Sequence, residues 1–324
     1  MNIKFKGLQL VLVLLISAVV TSDPAYGQTQ EQNSSAQSAA KRIRARANFA
    51  SPEEAVSGLV EALRNNDRKK MREILGLAAD RYLPARDTST ESADRIKFLA
   101  AYDEQSRIEP SGESLARLNI GKDQWPFPFP LAKSGERWGF DTKAGEQELL
   151  DRHIGENELS AIQTALAYVD AQREYVLKDH DNDALPEYAQ RMVSTEGTHD
   201  GLYWPSAEGE LVSPMGLAFA NAKKPVRGVE RMAGKPYHGY LFRILTAQGK
   251  YAQGGAMDYL VKGKLVGGFG LFAYPAYYRE SGIKSFIVNH DGIVFSRDLG
   301  PDTESRATRI TRFNPGPSWQ KESP

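Results

Sequence analysis

Three aspartates at alternate positions, Asp179, Asp181 and Asp183 in KDHDNDALPE, have the spacing in this chain that points most directly to chemistry. Calcium gathers several oxygen ligands, and the helix–loop–helix calcium loop opens with carboxylates at this interval. The pattern then departs. Ala184 stands where a glycine makes the sharp turn, and Gln190 where a bidentate glutamate closes the cage. Calcium on these three carboxylates is one expectation; a solvated acidic loop after a helix is the other. The five histidines, His153, His180, His199, His238 and His290, show no HxH or HExxH spacing. A transition-metal centre would have to be assembled by the fold.

His290 and Asp291 lie side by side in SFIVNHDGIVFSRDLG. A catalytic pair of this kind orients an imidazole toward a nucleophile, and the sequence identifies none. Asp-Gly between two β-branched and aromatic runs is instead a hairpin signal. It predicts a type I′ turn at Asp291-Gly292, with His290 at a strand end close to solvent. In DGLYWPS, Tyr203 and Trp204 can form a flat platform for a sugar or peptide ligand; the same rings can also pin a loop to the core. Ser206 and Ser213 lack the GxSxG context of a nucleophile elbow. The glycine-rich QGGA and GKLVGGFG do not lead into a helix, so they form no phosphate cradle. Gly267 and Gly268 are read as points of close packing or a bulge. No catalytic residue emerges.

The elements that must carry these groups are legible in outline. Ser51, Pro52 and Glu54 form a helix start with a capping box. Val56, Leu59, Val60 and Leu63 follow at helical spacing. Asp67 caps a second helix with Met71, Ile74 and Leu75 on its apolar face, and Gly76 stops it. A third helix is expected over SADRIKFLAAYDEQ. A hairpin is expected in DQWPFPFPLAKSGERWGFDT around the Lys-Ser-Gly turn, with Pro126, Pro128 and Pro130 restricting it to an edge. From Ala144 a long helix begins, with Leu159, Ile162, Leu166, Val169 and Val176 on one face and Gly155 interrupting it. A loop-rich stretch then leads to strands in YHGYLFRILT, MDYLVKGKLVGGFGLFAYP and both halves of SFIVNHDGIVFSRDLG. Helices and strands are segregated, which makes the class α+β.

Composition bounds the compartment and the partners. Lys4 and Lys6 precede an apolar run from Leu8 to Val20, and Ala25 and Gly27 have the spacing of a signal-peptidase site. That run is about 13 residues, against about 20 needed to span a bilayer. Residues 1–27 are therefore read as a cleaved signal peptide that sends the protein to the periplasm or beyond. Residues 28–48 are polar and read as a disordered linker ending in the basic cluster Lys41, Arg42, Arg44 and Arg46. Residues 49–143 form a first domain and residues 144–324 a second. The mature protein should not span a membrane. Cysteine is absent, which excludes disulfides and thiol chemistry. Lys plus Arg and Asp plus Glu balance at 41 each, which gives no electrostatic case for nucleic acid.

The ordered set YVDAQREY, EYAQRM, DGLYWP, SPMG, GYLFRILTAQG, GGFGLFAYPAYYRESGIKSFIVNHDGIVFSRDLG and FNPGPSW resembles a family of exported bacterial proteins catalogued as a domain of unknown function. The resemblance covers Phe49 to Trp319 and implies no activity and no catalytic residues. Within it, AQREY, GYLFRIL, AYP, GIKSF and the Asp-Gly turn are similar in order to the globular head of type IV pilins and pseudopilins. That likeness implies a long helix packed on an antiparallel sheet. Because AGEQELLDRHIGENE is charged, it does not extend to filament assembly. The first domain loosely resembles small cone-shaped domains of the nuclear-transport-factor kind. Together these point to an exported, soluble, two-domain protein that works by binding or assembly with an envelope protein or polymer. The alternatives are an enzyme acting on an envelope polymer, marked by a cleft with paired acids of displaced pKa, and a calcium-stabilised scaffold.

Overall fold

The computed structural model describes residues 49–76, 89–206, 211–215 and 236–322, with the side chains of 89–92 excepted. The signal peptide and linker expected over 1–48 lie outside them. The chain divides into two compact units, one ending at Asp151 and the other beginning at Arg152.

In the first unit, α1 (Pro52–Arg64), α2 (Arg68–Leu75) and α3 (Ser89–Glu104) precede five strands. Ser51 Oγ accepts the Glu54 amide, and Asp67 Oδ1 accepts that of Lys70, so both helices start on side-chain caps. The Glu54 carboxylate takes the amide of Ala50, one residue before the position a capping box would use. Gly76 closes α2 with φ of 81°. The strands are β1 (Ser106–Pro110), β2 (Leu115–Ile120), β3 (Trp125–Pro126), β4 (Leu131–Ser134) and β5 (Arg137–Phe140). They form one antiparallel sheet in the order β1-β2-β4-β5, with β3 also on β2. The expected hairpin is thus two strands of a larger sheet. In its turn Gly135 has a positive φ and Glu136 does not, as in a type II′ turn. Ala116, Leu118 and Ile120 alternate inward along β2 and meet Val56, Leu59, Met71 and Ile74 in one core.

Helix α4 runs unbroken from Thr142 to Tyr175, through Gly155. The expected interruption is absent because nothing at Gly155 demands it; its φ is ordinary and a Cβ there would meet no atom within 4 Å. The buried face also differs from the one the leucines mark. Ala161, Ala165, Tyr168, Val169, Gln172 and Tyr175 are buried, Leu166 and Ile162 lie at the rim, and Leu159 is exposed. Small and hydrogen-bonding side chains let this helix approach its neighbours closely. Glu158 Oε1 accepts the amides of Ile283 and Lys284 at 2.9 Å each, and Asn157 Nδ2 donates to Ser281 O at 2.9 Å.

After α4 come β6 (Arg191–Val193) and β7 (Gly201–Tyr203), a parallel pair. Then follow β8 (Tyr240–Leu245), β9 (Ala247–Gln248), β10 (Met257–Asp258), β11 (Leu260–Val261), β12 (Lys264–Leu265), β13 (Gly270–Pro275), β14 (Lys284–Asn289) and β15 (Phe295–Asp298), then α5 (Thr303–Ala307) and β16 (Gln320–Lys321). The main sheet is antiparallel, in the order β16-β15-β14-β13-β8. Its strands alternate between two buried faces. Leu271, Ala273, Phe286 and Val288 pack with α4, while Phe272 and Ile287 pack with Leu299, Ala307 and Phe313 on the other side. The architecture is α+β, with a long helix on an antiparallel sheet. Among the described residues no helix is long and apolar enough to cross a membrane.

The β14–β15 turn is not type I′. Gly292 N donates to Asn289 O at 2.9 Å, so His290 and Asp291 occupy the two central positions and Gly292 alone, at φ of 77°, has left-handed backbone. This is a type I turn followed by a glycine bulge. His290 therefore sits within the turn, two-thirds covered, with its ring edge-on to Tyr259 and Phe269. Gly292→Val should cost about 1–3 kcal/mol, because a β-branched residue resists this backbone conformation. A thermal melt that does not move would show that the turn rearranges freely.

Candidate functional site

A cavity of about 500 Å³ opens in the second unit, lined by Tyr175, His180, Asp181, Glu187, Tyr188, Gln190, Arg191, Thr198, His199 and Asp200. Three pieces of chain build it. The first is the end of α4 with the acidic loop. The His180 ring stacks on Tyr175 at 3.9 Å between centroids, 15° from parallel, and its Nε2 lies 3.1 Å from Tyr175 O. Burial lowers the pKa of His180, so the imidazole is neutral at pH 7. The Tyr175 hydroxyl donates to His199 O at 2.7 Å and carries the third piece with it.

The second piece is the segment from Glu187 to Gln190, fixed on both sides. Tyr188 N donates to Leu265 O at 2.8 Å, and Gln190 Nε2 to Gly263 O at 2.8 Å, so the segment is bound to the β11–β12 hairpin. On its other side Gln172, fully buried in α4, donates to Ala189 O and accepts from Ala189 N, both at 2.8 Å. One side-chain amide thereby replaces a strand partner.

The third piece is β6, β7 and the loop between them. Asp200 organises that loop by accepting Thr195 N at 2.7 Å, Thr195 Oγ1 at 2.8 Å and Thr198 Oγ1 at 2.9 Å, with Arg191 Nε at 3.3 Å. Partial burial pushes its pKa up, but these hydrogen bonds and Arg191 outweigh it, and the carboxyl titrates below its usual range.

The acidic loop supplies one wall and has its own internal cation. The oxygens of Asp179, Asp181 and Asp183 lie within 4.8 Å of one another. The Lys264 ammonium donates to Asp181 Oδ2 at 2.8 Å and to Asp183, and lies 3.7 Å from Glu187 Oε2. Asp179 turns inward instead, accepting the amides of Asp181, Asn182 and Ala184; the last of these does most to lower its pKa. Ala184 makes the left-handed turn expected of a glycine, at φ of 63°. A calcium ion at these carboxylates would have to displace the Lys264 ammonium. Neither Tyr203 nor Trp204 is in the cavity's lining, and Tyr203 packs against the core. Trp204 is buried, donates Nε1–H to Leu211 O at 2.8 Å, and backs His199 and His180 with ring centroids 4.4 and 5.8 Å away.

The sequence reading thus singled out His180, Asp181 and His199 without relating them. It missed Tyr175, Glu187, Tyr188, Arg191 and Thr198, and met Gln190 only as a break in the calcium pattern. Their convergence depends on Gln172 and on the β11–β12 hairpin, and no fixed spacing encodes that. His290 is not part of this lining; Phe269 stands between it and Tyr188, with ring centroids 6.1 and 4.8 Å away.

Residues 46–322 match the family described as protein of unknown function, DUF2950. The chain belongs to that family. The match takes in both units of the fold and the whole of the cavity. No curated protein and no solved structure matches the chain. None of these comparisons supports the expected likeness to pilin heads, which rests on motif order alone.

Proposed function

We propose that this is an exported cell-envelope protein that works by holding a polar unit of an envelope polymer in the cavity at the end of α4. The observation that carries the reading is a cavity of about 500 Å³, a size suited to a small ligand, whose side chains are already held in place by other parts of the protein. Asp200, His180, Gln190 and Asp181 each have a hydrogen-bond partner within the chain. Preorganised walls reduce the ordering cost of binding, and no activated nucleophile stands among them. Export is supported by the basic, apolar and small-residue order of residues 1–27, and by a family match that begins only at residue 46.

Binding is tested with soluble cell-wall glycan and peptide fragments, read by calorimetry and by tryptophan fluorescence, since Trp204 backs two cavity histidines. Saturable binding that Arg191→Ala weakens at least tenfold is expected. A folded protein that binds none of these fragments would sink the reading. Native protein should begin at Gln28.

One observation favours an enzyme acting on an envelope polymer. Two carboxyls of the same cavity are driven apart: burial raises Glu187, against the pull of Lys264, while Asp200 is lowered. Release of new reducing ends from insoluble wall glycan, lost in Glu187→Gln while binding persists, would establish this instead.

A further inference from the structure

The carboxylates that line the cavity are not equivalent. Asp200 is saturated by Thr195, Thr198 and Arg191, and Asp181 holds Lys264. Glu187 is different. Its Oε2 is buried without a hydrogen-bond donor, and the nearest cation, Lys264 at 3.7 Å, already serves Asp181 and Asp183. A buried carboxylate oxygen left without a donor is costly. The lining as a whole sets Asp181, Glu187 and Asp200 against the single cation Arg191.

We infer that the ligand carries a primary amine, as on an amino sugar with a free amino group, and that its ammonium docks on the Glu187 carboxylate. This rests on the cavity being the ligand seat. An ammonium at the part of Glu187 that stays exposed brings the missing charge, with three N–H groups to distribute. A hydroxyl would bring a donor without charge. Thr198, Gln190 and Arg191 offer the hydrogen bonds that sugar hydroxyls require, and Tyr188 and His180 offer ring surface. The electrostatics agree. Burial, with Asp181 and Asp183 adding to it and Lys264 opposing, raises Glu187. Burial is also the main cause that raises the Tyr175 phenol, and Glu187, Asp200 and Asp181 raise it further against the pull of Lys264, so these carboxylates act on the cavity's interior.

The sign of the pH dependence follows. The ammonium stays charged in acid while Glu187 gains a proton, so affinity for the amine should be highest near neutrality and fall as pH drops through the raised Glu187 pKa. Lys264, Asp181 and Asp183 are the charged groups that face this carboxyl.

The test is a matched pair, a tetramer of glucosamine and its fully N-acetylated counterpart, titrated into the full chain at about 0.15 M salt, where long-range attraction is screened. The free-amine tetramer should bind at least tenfold tighter. That preference should vanish in Glu187→Gln, whose melt is recorded alongside, and should shrink in the native protein on acidification. Equal affinities, a preference that survives Glu187→Gln, or no weakening in acid would each overturn the amine while leaving the cavity as a seat. Binding of other wall fragments but of neither tetramer would do the same. Failure of every fragment would overturn the seat and the amine together.

Discussion

Gln172→Leu should cost the second unit about 2–6 kcal/mol, because it strands two buried backbone groups at roughly 1–3 kcal/mol each. Those groups are the N–H and C=O of Ala189, both bonded to the Gln172 amide at 2.8 Å, with Gln172 itself fully buried. Leucine fills similar space, so the loss isolates the hydrogen bonds from the packing. Gln172 Nε2 also meets the Tyr168 hydroxyl at 3.0 Å, and that hydroxyl donates to Gly270 O in the sheet. The amide therefore ties helix, sheet and cavity wall together, and a network of this kind loses more than its pairwise parts. Urea unfolding should show the midpoint fall with little change in slope. Ligand affinity should fall as well, since Glu187 and Tyr188 are positioned through Ala189. A variant as stable as the native chain would mean that the Glu187–Gln190 wall is held by the β11–β12 hairpin alone.

What the sequence made legible divides along a physical line. The caps at Ser51 and Asp67, the Gly76 stop and the glycine of the β14–β15 turn were readable because each is decided by neighbours within a few residues. The inner strands of the main sheet were readable because both faces are buried, so Phe286, Ile287 and Val288 form a continuous apolar run, whereas the exposed edge strand β16 was not. β1 and β2 were not. β1 lies at a sheet edge with nearly every side chain exposed, and Ser106, Arg107 and Glu109 give it no apolar alternation. The face of α4 was misassigned for a related reason. Leucines mark a buried face only when a helix packs through large side chains. Here close approach uses Ala161 and Ala165, and Tyr168 and Gln172 are buried with their polar atoms paired. The cavity was the least legible part. Lys264 reaches the acidic loop from more than eighty positions further along, and only the fold places an ammonium between Asp181 and Asp183.

Two glycines of the same helix separate local from tertiary reasoning. By helix propensity alone, alanine at either Gly145 or Gly155 should stabilise α4 by about 0.5–1 kcal/mol. Gly155 should behave so, since a Cβ there meets nothing within 4 Å. At Gly145 the sign should reverse. A Cβ would overlap Phe129 Cδ1 and stand 2.7 Å from Cγ and Cε1. Phe129 is itself buried in the core of the first unit, so its ring has little space to retreat. Overpacking of a filled core costs about 1–3 kcal/mol, and a contact this short belongs at the upper end. Subtracting the propensity gain still leaves Gly145→Ala destabilised by about 2 kcal/mol. The measurement is a pair of thermal melts on the full chain, with Gly155→Ala shifted upward and Gly145→Ala shifted downward. Both variants moving upward would show that the Phe129 ring yields at no cost and that the start of α4 does not abut the first core as closely as these distances require.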